Sequence, residues 1–77
     1  MTLTEALAEN VRALRARKRW SQDELAGRLG ITQRTLSRLE SGRRGDVGIV
    51  ELERLCEAFG VDLPELLTGA DLRKLGI

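Results

Sequence analysis

Gln33, Arg34, Ser37 and Arg38 gather, within six positions, the side chains best suited to a flat hydrogen-bonding partner. A guanidinium offers parallel N–H donors, and a carboxamide offers a donor beside an acceptor. These patterns complement the O6/N7 edge of guanine and the N6/N7 edge of adenine in the major groove of a duplex. If residues 33 to 41 are helical, turning about 100° per residue, Leu36 and Leu39 fall on one side and Arg34, Ser37, Arg38 and Ser41 on the other. Gln33 and Thr35 stand at the two edges of that outer face, which holds no acid and no large apolar residue. A merely solvated helix would carry Glu and Lys pairs instead, so the face is expected to read base edges.

Arg19 precedes this region, and Arg43 and Arg44 follow it, where they are expected to meet phosphates. Each phosphate neutralised by such a cation steepens the log–log salt dependence of binding by about 0.9. The net charge of the 77 residues is only +1, but the two halves differ. Residues 1 to 45 hold ten Lys and Arg against five acids, whereas residues 46 to 77 hold three against seven. A field divided in this way lets one face meet a polyanion while the other is repelled.

The remaining composition excludes several classes. There is no His or Tyr to serve as a general acid or base, so an enzyme is not expected. A single cysteine, Cys56, permits no internal disulfide, and the missing His removes the usual zinc ligand sets, so no cofactor is implied. Cys56 itself falls on an apolar stripe and reads as a small core residue rather than a redox switch. No apolar run approaches the roughly 20 residues of a membrane span, and no signal peptide opens the chain, which leads us to expect a cytoplasmic protein.

Helical spacing of apolar residues runs through the whole chain, without strand-like alternation, and the expected fold is therefore all-α with five helices. Thr2 and Glu5 form a capping-box pattern ahead of Leu3, Leu7, Val11 and Leu14, predicting α1 over about 3 to 18. Ser21 and Glu24 repeat the pattern, with Trp20 before the cap positioned to pack on Leu25. Helix α2 should start at Gln22, bury Leu25, Ala26 and Leu29, and end at Gly30. Thr32 can cap α3, which spans about 33 to 41 before Gly42. Asp46 is the expected cap of α4, with Ile49, Leu52, Leu55, Cys56 and Phe59 inward up to Gly60. Asp62, Pro64 and Glu65 mark a short α5 carrying Leu63, Leu66 and Leu67. Gly27 inside α2 has no local rationale, since glycine costs about 1 kcal/mol there relative to alanine.

Only Gly30, Ile31 and Thr32 join α2 to α3, which forces the sharp crossing of a helix-turn-helix over residues 21 to 41. The sequence here resembles the Cro/CI-type (Xre-type) repressors, a phage-repressor-like family. The likeness runs from residue 11 to residue 67, through Val11-Arg12-Ala13-Leu14-Arg15, Ser21-Gln22-Asp23-Glu24-Leu25-Ala26, Gly30-Ile31-Thr32, Leu36-Ser37-Arg38-Leu39-Glu40-Ser41-Gly42 and Phe59-Gly60-Val61. It implies that Gln33, Arg34, Ser37 and Arg38 face bases, that Gln22 contacts a phosphate and buttresses Gln33, and that Thr32 touches the DNA backbone. Thr35 and Ser41 join Arg19, Arg43 and Arg44 as expected backbone contacts. The resemblance further implies a structural ion pair between Arg15 and Glu40. The chain departs from the family at Arg19, where glycine is usual, and at Gly45 to Gly48, where the loop is usually shorter.

The expected function is sequence-specific binding of double-stranded DNA by a dimeric transcriptional regulator. One small module reads too few base pairs to find its site among a million or so competitors, roughly the lower limit for a genome. A homodimer on inverted repeats is therefore expected. Its interface is expected at Leu66, Leu67, Leu72, Leu75 and Ile77, more apolar surface than one short helix can bury. The division is then a DNA-binding domain at 1–69 and a tail at 70–77. The alternative is an antitoxin or adaptor that mainly grips another protein, such as a toxin, through the acidic second half.

Overall fold

The structure, a computed structural model, describes residues 1–70. These form five helices and no strand: α1 (Leu3–Lys18), α2 (Gln22–Leu29), α3 (Gln33–Glu40), α4 (Ile49–Phe59) and α5 (Leu63–Leu66). The fold is the all-α arrangement expected from the periodicity.

Local chemistry accounts for most of the boundaries. At α1 and α2 the capping boxes are closed in both directions: Thr2 and Ser21 accept from the backbones of Glu5 and Glu24, whose carboxylates accept in return. Thr32 caps α3 by accepting from the Thr35 backbone, and Asp62 caps α5 by accepting from that of Glu65. Helix α2 ends on Gly30 and α4 on Gly60, both left-handed at φ 70° and 69°. Arg19 performs the same task for α1 at φ 58°, although it bears a side chain. The glycine usual at this position in the resembled family would hold that geometry without strain.

Helix α4 departs from expectation. Its cap is Gly48 and no side chain satisfies its first amides, because the carboxylate of Asp46 is drawn to the guanidinium of Arg44. With the helix starting later, Ile49 points outward and is 75% exposed instead of entering the core. Leu55 and Phe59 take the fully inward positions, while Leu52 and Cys56 pack partly buried against them.

One core joins all five helices, built from Leu7, Val11 and Leu14 of α1, Leu25, Ala26 and Leu29 of α2, Leu36 and Leu39 of α3, Leu55 and Phe59 of α4, and Leu66 of α5. Burying each large aliphatic side chain is worth about 1.5–3 kcal/mol before the entropy of ordering is counted. Trp20 closes the edge of this core by stacking on Phe59, ring centroids 5.8 Å apart, and the Arg28 guanidinium lies over the Trp20 ring, 4.2 Å from its centroid. Asn10 ties the end of α5 to α1, its amide donating to the carbonyls of Leu66 and Thr68 at 2.7 and 2.9 Å. Among the described residues no helix is long and apolar enough to cross a membrane, and no cluster of potential metal ligands forms.

Candidate nucleic-acid interface

Helix α3 is short, eight residues, and too brief to be stable by itself in water. Two anchors hold it. Leu36 and Leu39 are 0% and 1% exposed in the core, which fixes the rotation of the helix about its axis. The last residue, Glu40, fixes its end. That carboxylate is buried, and it accepts from Arg15 Nε at 2.7 Å and Arg15 Nη2 at 2.9 Å. Arg15 also donates to the carbonyl of Trp20 at 3.0 Å, so one guanidinium binds the end of α3 to the segment between α1 and α2. Hydrogen bonding to Glu40 raises the pKa of Arg15 above its ordinary value, against the opposing effect of burial. Arg12, which sequence reasoning left unassigned, donates to the backbone carbonyl of Glu40. Its spacing from Arg15, three positions along the same helix face, was the available signal.

The hydrogen bonds continue from Glu40 into α2. Gln22 Nε2 donates to Glu40 Oε1 at 3.1 Å, and Gln33 Nε2 donates to Gln22 Oε1 at 2.6 Å. A fixed outward face results. Gln33, Arg34, Ser37 and Arg38 are all exposed, brought together on α3 as the periodicity required. No buried side-chain polar atom among the described residues lacks a partner, so nothing below this face competes for those groups.

The residues expected at the DNA backbone divide. Arg19 and Arg43 are exposed at the two ends of the motif, and Thr32 and Ser41 are exposed beside α3, where Ser41 donates to the carbonyl of Arg38 at 2.9 Å. Thr35 is half-buried and accepts from the Thr32 hydroxyl at 2.9 Å. Arg44 requires correction. It is 7% exposed, held by Glu51 at 2.6 and 2.7 Å and by Asp46 at 3.1 Å, so its charge is spent inside the loop between α3 and α4. Those bonds, Glu51 foremost, raise the Arg44 pKa and hold the carboxyls of Glu51 and Asp46 below their ordinary values. The acid seven positions downstream, one turn into α4, was the signal in the sequence.

The expected dimer surface needs correction at Leu66. Leu67 is only half-buried against the core, but Leu66 is 0% exposed, buried by its own subunit. A side chain already covered has no area left to give to a partner. Leu72, Leu75 and Ile77 lie outside the described residues. Apart from Met1, the exposed large apolar residues among those described lie on α4 and α5: Ile49, Val50 at 60% and Leu63 at 43%. Ile49 and Leu63 line a groove of about 370 Å³ with Leu52 and Cys56, rimmed by Glu53 and Glu57. Burial raises the pKa of the Cys56 thiol, which keeps it protonated and apolar in character.

Known proteins share this arrangement. A family model described as a helix-turn-helix domain matches residues 6–68. The chain is 36% identical over 76 residues to the uncharacterized HTH-type transcriptional regulator y4dJ of Sinorhizobium fredii, covering 99% of this chain and 97% of the relative. The crystal structure of the restriction-modification controller protein C.AhdI from Aeromonas hydrophila aligns with a TM-score of 0.74 at 28% identity, over 82% of this chain and 94% of that one. Hydroxypropylphosphonic acid epoxidase from S. wedmorenis aligns with a TM-score of 0.83 at 26% identity, over 91% of this chain but only 37% of the enzyme's. The match to the family model, the y4dJ relative of nearly equal length and the α2–α3 geometry converge: the chain belongs to the helix-turn-helix domain family, Xre-type, and is a DNA-binding transcriptional regulator.

Proposed function

We propose that this regulator recognises a specific double-stranded DNA sequence in the cytoplasm, laying α3 in the major groove with Gln33, Arg34, Ser37 and Arg38 against base edges. The observation that carries the reading is the acid-free outer face of α3, held in one orientation by the buried leucines beneath it and by Glu40 at its end. A side chain can discriminate bases only if its backbone is fixed, and these anchors fix it. Arg19 and Arg43, with the exposed hydroxyls of Thr32 and Ser41, meet the flanking phosphates and set the register.

The functional unit is a homodimer on inverted repeats, because one module of this size reads too little sequence to be selective in a genome. Its interface is the apolar groove of α4 and α5, with Ile49, Val50 and Leu63 in contact with a second copy. The acids at the rim keep that surface off the phosphates. The exposed apolar residues and the groove support this placement.

Selection from a pool of random duplexes tests the reading. The enriched molecules should share an inverted repeat with half-site centres about 34 Å apart or a multiple, one turn of B-DNA. Enrichment of no common sequence would exclude sequence-specific recognition and leave a protein partner as the alternative target.

A further inference from the structure

The relay from Arg15 to Gln33 has a direction. A carboxylate can only accept hydrogen bonds, and Glu40 lies buried at the inner end of the chain. Its Oε1 therefore requires the amino end of the Gln22 amide, which sits 3.1 Å away. With its nitrogen committed inward, Gln22 turns its oxygen toward Gln33, which must meet it with its own amino group, at 2.6 Å. One N–H of Gln33 is thereby consumed. What Gln33 has left is one N–H beside the carbonyl oxygen, a donor next to an acceptor. That pair matches adenine, whose N7 accepts and whose N6 donates, and it mismatches guanine, which presents two acceptors.

We infer that Glu40, which is too deep to touch DNA, is a specificity-determining positioning residue: by fixing the polarity of two successive amides it makes Gln33 an adenine reader. The inference rests on the proposal that α3 reads bases. It adds that the base preferred at one pair depends on an acid on the far side of Gln22. Without Glu40, either amide is free to rotate by 180°, and Gln33 accepts adenine and guanine more equally.

Selected operator variants with each base at one position provide the test, measured by competition binding. Gln33→Ala first identifies the pair that Gln33 reads; if it alters no preference, the inference fails while recognition through Arg34 or Arg38 stands. Arg15→Met combined with Glu40→Leu then removes the acceptor while replacing the ion pair with apolar groups of similar volume, a change often tolerated by folded proteins. The folded double variant should lose about five-fold or more of its preference for adenine at that pair, the lower end of what a bidentate contact supplies. Preferences governed by Arg34 and Arg38 should stay. Retention of the adenine preference within about two-fold would overturn the inference without touching the DNA-binding reading. Nuclear Overhauser effects in the unaltered protein decide the matter if the double variant does not fold. The Gln22 side-chain amide protons should be close to the Glu40 γ protons, and those of Gln33 close to the Gln22 γ protons; amide protons of Gln22 directed at Gln33 would contradict it.

Discussion

The guanidinium of Arg15 engages both carboxylate oxygens of Glu40, at 2.7 and 2.9 Å, and so connects the first helix of the protein to the last residue of α3. Arg15 retains 23% side-chain exposure and Glu40 only 4%, so the acid depends on this partner more than the base does. Glu40→Ala and Arg15→Ala should each destabilise the fold, Arg15→Ala toward the lower part of the roughly 3–5 kcal/mol cost of leaving a charge buried and unpaired. In a double-mutant cycle read by chemical denaturation, the coupling should reach at least about 0.5 kcal/mol. Additive losses would mean that the two groups do not interact in solution.

Arg19 should show opposite effects on stability and binding. At φ 58° it pays for a side chain in a left-handed conformation, so Arg19→Gly should raise stability by about 1 kcal/mol. The same change removes an exposed cation beside the motif, and the salt slope of DNA binding should fall by about 0.9. Thermal unfolding and salt titrations check both signs. A less stable variant, or an unchanged slope, would refute the respective role.

The Arg44–Glu51 pair predicts a pH dependence. Glu51 has a folded-state pKa below its ordinary 4.5, chiefly through its hydrogen bonds to Arg44. A depressed carboxyl stabilises the fold above its unfolded pKa and loses that contribution as pH falls through the folded value. Stability should therefore decline as pH drops below about 4.5, and the decline should be shallower in Arg44→Met, where Glu51 titrates near its ordinary value. Equal slopes in the two proteins would show that the pair contributes nothing.

Ile49→Glu combined with Leu63→Glu should yield a folded monomer, because both residues are exposed in the subunit and acids added beside Glu53 and Glu57 would repel a second copy. Sedimentation at micromolar concentration distinguishes the outcomes. A variant that remains dimeric places the interface elsewhere on the subunit.

Much of this is legible in the sequence. Capping boxes at Thr2–Glu5 and Ser21–Glu24 and glycines at 30 and 60 marked helix ends through local chemistry, and Leu36 and Leu39 oriented α3 by spacing alone. What sequence could not supply were competitions between partners. Asp46 is an equally good helix cap or ligand for Arg44, and only the proximity of Glu51 decides that Arg44 is buried and Gly48 becomes the cap. Leu66 and Leu63 look alike in a short helix; Asn10, binding the carbonyls of Leu66 and Thr68, fixes the end of α5 against α1, leaving Leu66 inside and Leu63 outside.

The central claim is that α3 reads sequence, and competition binding with Arg34→Ala tests it most directly. Against the selected operator, Arg34→Ala should lose about 1–3 kcal/mol and relax the preference at one base pair, as expected for a bidentate base contact. Arg43→Ala, measured beside it, should weaken operator and random duplex alike. If Arg34→Ala binds operator and random DNA with the same ratio of affinities as the unaltered protein, Arg34 reads no base and the account of α3 as the reading helix is contradicted.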